Sequence, residues 1–182
     1  MTKSSRGGRS PFYIIFGIIA LFLVGVVFFK PIMRCFFPVK YIDTIKKYSN
    51  EYNLDAHLVM AIIRTESKFK EDAESDKGAK GLMQLKEDTA KWCAKEYGFS
   101  YDGNITEPEI NIKIGCAYLR YLIEKFGNVA TALAAYNAGE GNVQEWLQKQ
   151  DSATELTNIP FAETARYVEL VQKREKIYNF LY

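Results

Sequence analysis

Phe12 to Phe29, FYIIFGIIALFLVGVVFF, is a run of 18 residues without a charge, and it constrains this chain more than any other feature. As a helix it spans about 27 Å, close to the roughly 30 Å hydrocarbon core of a bilayer. A cleavable signal peptide has a shorter apolar region, roughly 7–15 residues, that ends in a small-x-small site. FFKPIMRCFFP follows here and offers none, and in Ile32-Met33-Arg34-Cys35 an arginine occupies a place that a lipoprotein cleavage box gives to a small residue. The run reads as an uncleaved anchor. It divides the 182 residues into a short tail at 1–11, a transmembrane span at 12–29, a juxtamembrane linker at 30–40 and a domain at 41–182. Lys3, Arg6 and Arg9 precede the span while Lys30, Arg34 and Lys40 follow it, so flanking charge alone leaves the orientation open.

The formal charge of +2 hides an asymmetry. Six Lys and Arg and no acid lie in residues 1–40, which leaves 18 basic and 22 acidic residues in 41–182, a net of −4. A domain with that balance has no basic excess to neutralise phosphates, so nucleic acid is excluded as a partner. The basic residues beside the span suit anionic lipid headgroups. Three cysteines and one histidine exclude most metal and nucleophile chemistry. Cys93 and Cys116 lack a C-x-x-C neighbour and His57 lacks a second histidine at helical spacing, so no metal or other cofactor is expected. Both cysteines fall in helical patterns that suit small buried residues, and a Cys93–Cys116 disulfide outside the cell stays open.

From Tyr41 onward the periodicity is helical. Helices are expected at 41–52, at 55–66 with Asn53 as a cap, and at about 87–97. Others are expected at 108–126, near 129–136, near 142–148, and from about 162 to 179. Pro108 suits a first turn and Gly127-Asn128 a stop. KFKEDAESDKGAKG, from Lys68 to Gly81, is a polar interruption, and no segment sustains the two-residue alternation of an exposed strand. The fold class is therefore mainly α.

One residue breaks this pattern. Leu58, Val59, Ile62 and Ile63 form the apolar stripe of one helix, and the next position on that stripe is Glu66. It also stands at the helix's C-terminal end, where the macrodipole is negative. Desolvation and that negative end both favour the protonated acid, the form that protonates a glycosidic oxygen. Most glycosidases need a second carboxylate, about 5–5.5 Å or roughly 6.5–9.5 Å away. Glu71, Asp72, Glu74 and Asp76 read as solvated surface beside many lysines, and Glu163 is the remaining candidate. A mechanism with one carboxyl, the substrate supplying the nucleophile, is the economical reading.

Five motifs in order resemble the soluble lytic transglycosylase family: Glu66-Ser67; Gly78-Ala79 with GLMQL at 81–85; NIKIGCAYL at 111–119; AYNAG at 135–139; and Ile159-Pro160 with Glu163-Thr164 and Tyr167. The resemblance covers about 41–180. It implies a lysozyme-like helical domain, related to goose-type lysozymes and preceded here by a single N-terminal transmembrane helix. It also implies cleavage of the β-1,4 bond between N-acetylmuramic acid and N-acetylglucosamine in peptidoglycan glycan strands without water, leaving 1,6-anhydromuramoyl ends. On that resemblance Glu66 is the catalytic acid and base, Ser75 hydrogen-bonds the catalytic region, and Gln84 lines the sugar cleft. Tyr136 and Asn137 supply an aromatic wall and an amide contact, and Glu163 stands near the cleft as support or in a direct role. Many members follow GLMQL with Met-Pro; Lys86-Glu87 stands here, so Lys86 replaces a cleft-lining methionine and either meets stem-peptide carboxylates or points outward. Gly115 inside a helix costs about 1 kcal/mol against Ala and is expected to allow close helix packing. A wall-bound substrate implies a single-pass protein of the cell membrane with its C-terminal domain outside the cytoplasm. A hydrolytic muramidase and a wall-binding scaffold module of an envelope-spanning assembly are the competing functions.

Overall fold

The computed structural model describes residues 11–182. The tail before Pro11, with the Lys3, Arg6 and Arg9 of the flanking-charge comparison, lies outside the described residues. The chain divides into two units at Pro38, and the described residues contain eight helices and no strand longer than an isolated bridge.

The first unit is α1, Pro11–Phe36. Its stretch Ile15–Phe36 has a mean hydropathy of 2.5 over its most apolar window and none of that window is buried, so it is long and apolar enough to cross a membrane. The helix does not stop at Phe29. It continues through Pro31, which has no N–H to offer the Val27 carbonyl, so irregular backbone begins only at Phe37.

The second unit holds α2 (Ile42–Glu51), α3 (Ala56–Glu66), α4 (Glu87–Glu96), α5 (Pro108–Phe126), α6 (Val129–Ala138), α7 (Glu140–Lys149) and α8 (Ala162–Leu181). Its core is built around α5, which packs against α2, α4 and α6. Ile112, Ile114, Leu119 and Leu122 of α5 are fully buried, as are Val59, Ile62 and Ile63 of α3. In α6 the run Ala132–Ala135 is buried on all sides, so this helix has no polar face, as expected of a helix enclosed by others.

Caps explain the boundaries. Asp55, not Asn53, caps α3, its carboxylate accepting from the His57 N–H at 2.7 Å; Asn53 instead takes a left-handed turn at φ 50°. Glu107 accepts from the Ile110 N–H at 2.6 Å while Pro108 occupies the first turn of α5. Gly127 ends that helix at φ 65°, and Asn128 opens α6 by accepting from the Thr131 N–H at 3.0 Å.

The polar interruption is ordered. Two single bridges, Glu74 with Lys80 and Lys80 with Leu85, fold residues 74–85 back on themselves, and Asn111 of α5 ties them to the core. Its Oδ1 accepts from the Met83 N–H at 2.7 Å, and its Nδ2 donates to the carbonyls of Lys80 (3.1 Å) and Ile105 (2.7 Å). Gly81 is required at that contact: with φ 77°, a Cβ on it would stand 2.3 Å from the Asn111 amide nitrogen. Gly115 does allow a close approach, but the group that enters is the loop residue Met83, whose sulfur would lie 2.2 Å from an added Cβ. Cys93 and Cys116 are buried free thiols and form no disulfide. Burial pushes the Cys93 thiol up to about 12 and raises that of Cys116 as well.

Candidate active site

A cleft of about 460 Å³ opens where α3, the polar loop, α4, α5, α6 and α8 converge. Glu66, Ser75, Gln84, Tyr136, Asn137 and Glu163 all line it, so six residues spread over nearly a hundred positions meet in one place.

Glu66 arrives there because α3 ends on it. Ser67 stops the helix: its hydroxyl donates to the Ile63 carbonyl at 3.1 Å and accepts from the Phe69 N–H at 3.2 Å. That turn buries Phe69 and leaves the last carboxyl of α3 only partly covered, facing the cleft. Glu66 makes no ion pair among the described residues. Burial raises its pKa from 4.5 to about 7, and the Tyr167 hydroxyl is the neighbour that eases its charge. The Tyr167 oxygen is buried and makes no hydrogen bond of ordinary geometry, so the two groups approach loosely rather than in a formed bond. Burial, and next the charge of Glu66, raises the pKa of both Tyr136 and Tyr167, which keeps both hydroxyls protonated.

Several polar groups expected to serve the site are already engaged. Tyr136 donates to the Met83 carbonyl at 2.8 Å and packs against Tyr118 with ring centroids 5.5 Å apart. Gln84, at φ 48°, donates its amide hydrogens to the carbonyls of Ala73 (2.9 Å) and Gly81 (3.0 Å), so its oxygen is what remains for a ligand. Asn137 accepts through Oδ1 from the buried Thr164 hydroxyl at 2.8 Å, an arrangement that leaves its NH2 to donate. Ser75 closes the turn 75–79 by accepting from the Ala79 N–H at 3.0 Å, and its own hydroxyl proton is still available. Glu163 is exposed, in the first turn of α8.

Known proteins can be set beside this geometry. Residues 43–159 match the family model described as "Transglycosylase SLT domain". The chain belongs to the transglycosylase SLT domain family. It is 38% identical over 152 residues to the soluble lytic murein transglycosylase of Escherichia coli (strain K12), a match covering 79% of this chain and 24% of that protein. It is 30% identical over 172 residues to the membrane-bound lytic murein transglycosylase C of Sodalis glossinidius, covering 77% of this chain and 47% of the other. The solved structure of an inactive Glu→Gln variant of lytic transglycosylase Slt from Pseudomonas aeruginosa superposes with a TM-score of 0.72 at 36% identity, over 79% of this chain and 24% of that one. This SLT chain thus spans between about a quarter and a half of the length of these relatives, and its mainly α, lysozyme-like fold is theirs over the matched part.

Two site residues were named in the motifs of the sequence but given no role there. Tyr118 lines the cleft from α5, and Tyr167 lies against Glu66. A signal for the second was present: Tyr167 follows Glu163 by four residues, so the two share a face of α8, and a helix that turns Glu163 to the cleft turns Tyr167 the same way. Among the described residues no three His, Cys, Asp or Glu side chains are grouped to hold a metal ion.

Proposed function

We propose that this SLT protein is a peptidoglycan lytic transglycosylase held at the cell membrane by α1, with residues 41–182 outside the cytoplasm. The observation that carries the chemistry is Glu66, a partly covered carboxyl without a cation partner, balanced near neutrality in a cleft with Tyr118 and Tyr136 on one side and the Asn137 amide beside it. A group with a pKa near the working pH both gives and takes a proton. In the first step Glu66 donates its proton to the glycosidic oxygen, the bond from C1 of N-acetylmuramic acid to that oxygen breaks, and the leaving N-acetylglucosamine keeps the proton as a free hydroxyl. The substrate's own N-acetyl group stabilises the cationic centre. The Glu66 carboxylate then removes the proton of the C6 hydroxyl of the same muramic acid, whose oxygen bonds to C1 and closes the 1,6-anhydro ring. That hydroxyl is tethered, and its effective concentration favours it over water.

Hydrolysis is the second reading, because Glu163 is a second carboxylate lining the same cleft and two carboxyls are what water-using glycosidases require. Mass spectrometry of the muropeptides released from purified sacculi separates the two. Anhydromuramoyl ends are expected; reducing muramic acid ends would replace this reading with a muramidase. Glu66→Gln keeps the shape but neither donates nor accepts the proton, and a fall of about 10²–10⁴-fold in release is expected, with binding to sacculi retained. Near-normal release by that variant would reject Glu66 as the acid. The reading of α1 as an anchor is supported by its apolar length and by relatives described as membrane-bound. The proposed organisation is a tail at 1–11, a span at 12–29, a linker at 30–40 and the catalytic domain from 41.

A further inference from the structure

Two ammonium groups line the same cleft as Glu66, and neither is held in an ion pair among the described residues. Lys77 and Lys86 are both exposed there. Of the acids near them in the chain, Glu74 pairs with Lys80 at 3.4 Å, Glu87 pairs with Lys91 at 3.6 Å and accepts from the Tyr101 hydroxyl at 2.8 Å, and Glu71 accepts from the Tyr41 hydroxyl, while the exposed Asp72, Asp76 and Asp88 form no ion pair among the described residues and do not line the cleft. Neither Lys77 nor Lys86 forms an ion pair among the described residues.

The backbone under each lysine is held. Lys77 sits in the turn from Ser75 to Ala79, which is closed by the Ser75 N–H on the Ala79 carbonyl at 2.9 Å, the Gly78 N–H on the Ser75 carbonyl at 2.9 Å and the Ser75 hydroxyl bond already described. Lys86 lies between the buried Leu85 and the first turn of α4. Elsewhere the lining is neutral apart from Glu66 and Glu163. A glycan of N-acetylated sugars is itself neutral, so an unpaired cation pair beside it has one counterpart in such a polymer, a carboxylate. In peptidoglycan this is the lactyl carboxylate of a muramic acid whose peptide has been removed, or a carboxylate of the stem peptide where the lactyl group is amidated to it.

We propose that Lys77 and Lys86 form a carboxylate-binding rim that selects glycan strands carrying a negative charge next to the scissile bond. This deepens the peptidoglycan reading above and rests on it. Exposed ion pairs are worth up to about 1 kcal/mol each, so each lysine contributes about two- to fivefold in KM and less in kcat, and added salt weakens the effect.

The test compares the full chain in detergent with Lys77→Met, Lys86→Met and the double variant. Lys95→Met, exposed on α4 away from the cleft, controls for net charge. Substrates are peptide-bearing sacculi, strands stripped of peptide, and each of these with its carboxylates converted to amides. KM is expected to rise two- to fivefold per lysine on a carboxylate-bearing substrate, and the difference from the unaltered chain is expected to vanish on the amidated one. An effect confined to stripped strands assigns the partner as the lactyl group, and one confined to peptide-bearing sacculi assigns it as the stem peptide. Variants indistinguishable from the unaltered chain, or a deficit that survives amidation, would overturn the rim. Cosedimentation of Glu66→Gln, with and without the lysine changes, reads binding with no turnover. If the unaltered chain released nothing from any substrate, the activity reading would fail, while sedimentation would still decide the role of the lysines.

Discussion

At the C-terminal end of α3 a carboxylate meets the negative end of a helix dipole, loses part of its hydration and finds no cation among the described residues. A residue kept under those conditions costs stability, and pH exposes the cost. Glu66 has a folded pKa of about 7 against 4.5 unperturbed. Between these values the folded state binds more protons than the unfolded one, so stability falls as pH rises through that window and levels off above it. At 1.36 kcal/mol per pKa unit, and allowing for the solvent that still reaches the group, the contribution is about 2–3 kcal/mol. Glu66→Gln lacks this titration. The variant is therefore expected to gain on the unaltered chain by about that amount between pH ~4.5 and pH ~8, measured as the difference in urea unfolding free energy. A gap that stays flat with pH would show that Glu66 is solvated in the folded protein. The same burial, beside a carboxylate, keeps Tyr136 and Tyr167 protonated.

One polar side chain on α5 organises the element that forms a wall of the cleft. The loop between α3 and α4 contains Lys68, Phe69 and Gln84 in left-handed conformations, which non-glycine residues adopt only when their surroundings impose it. Asn111 is a large part of those surroundings, satisfying the Met83 N–H and the carbonyls of Lys80 and Ile105 at a fully buried position. Removing it leaves the buried Met83 N–H and Ile105 carbonyl unmatched, each costing about 1–3 kcal/mol, while the Lys80 carbonyl keeps the Leu85 N–H at 3.0 Å. Asn111→Ala is thus expected to lose at least about 2 kcal/mol and to raise hydrogen exchange at the Met83 amide while helix content by circular dichroism persists. Gln84, Tyr136 and Lys86 lean on the same loop, so lytic activity should fall with it although Asn111 does not line the cleft. A variant as stable as the unaltered chain would show that α5 and the loop hold together by apolar contact alone.

On the scale of the whole molecule, charge and hydropathy are segregated along the chain. All the acids lie after residue 40, and six basic residues accompany an apolar helix before it. The proposed activity on the wall calls for the domain on the wall's side of the membrane. Protease added to intact protoplasts that express the full chain is therefore expected to remove residues 41–182 and leave a fragment of anchor size in the membrane fraction. Protection of the domain, or a mature N-terminus near residue 30, would contradict the proposed topology.

The sequence by itself determined the helices of the domain and the candidate acid, because both are local. Apolar spacing along α3, Pro108 and Gly127 around α5 and the in-register Glu66 all express the free energy of a residue within its own turn or stripe. Caps were less legible: Asp55 and Asn53 are both cap formers, and only the direction in which the chain entered α3 chose between them. The full length of α1 was not legible in the same way: the uncharged run ends at Phe29, while the helix, already propagated for several turns, continues past Lys30 and Pro31 to Phe36. Tertiary structure alone decided what the loop at 68–86 does. Its bonds run to Asn111 and to its own carbonyls across turns, and no periodicity encodes them. It also decided how the site's polar groups are divided: the amide hydrogens of Gln84 and the hydroxyl of Tyr136 go to the backbone, while the NH2 of Asn137 is left for a ligand. A hydrogen bond between residues tens of positions apart forms only after the core has fixed both ends. Composition supplies the donors, and packing chooses which of them remain for chemistry.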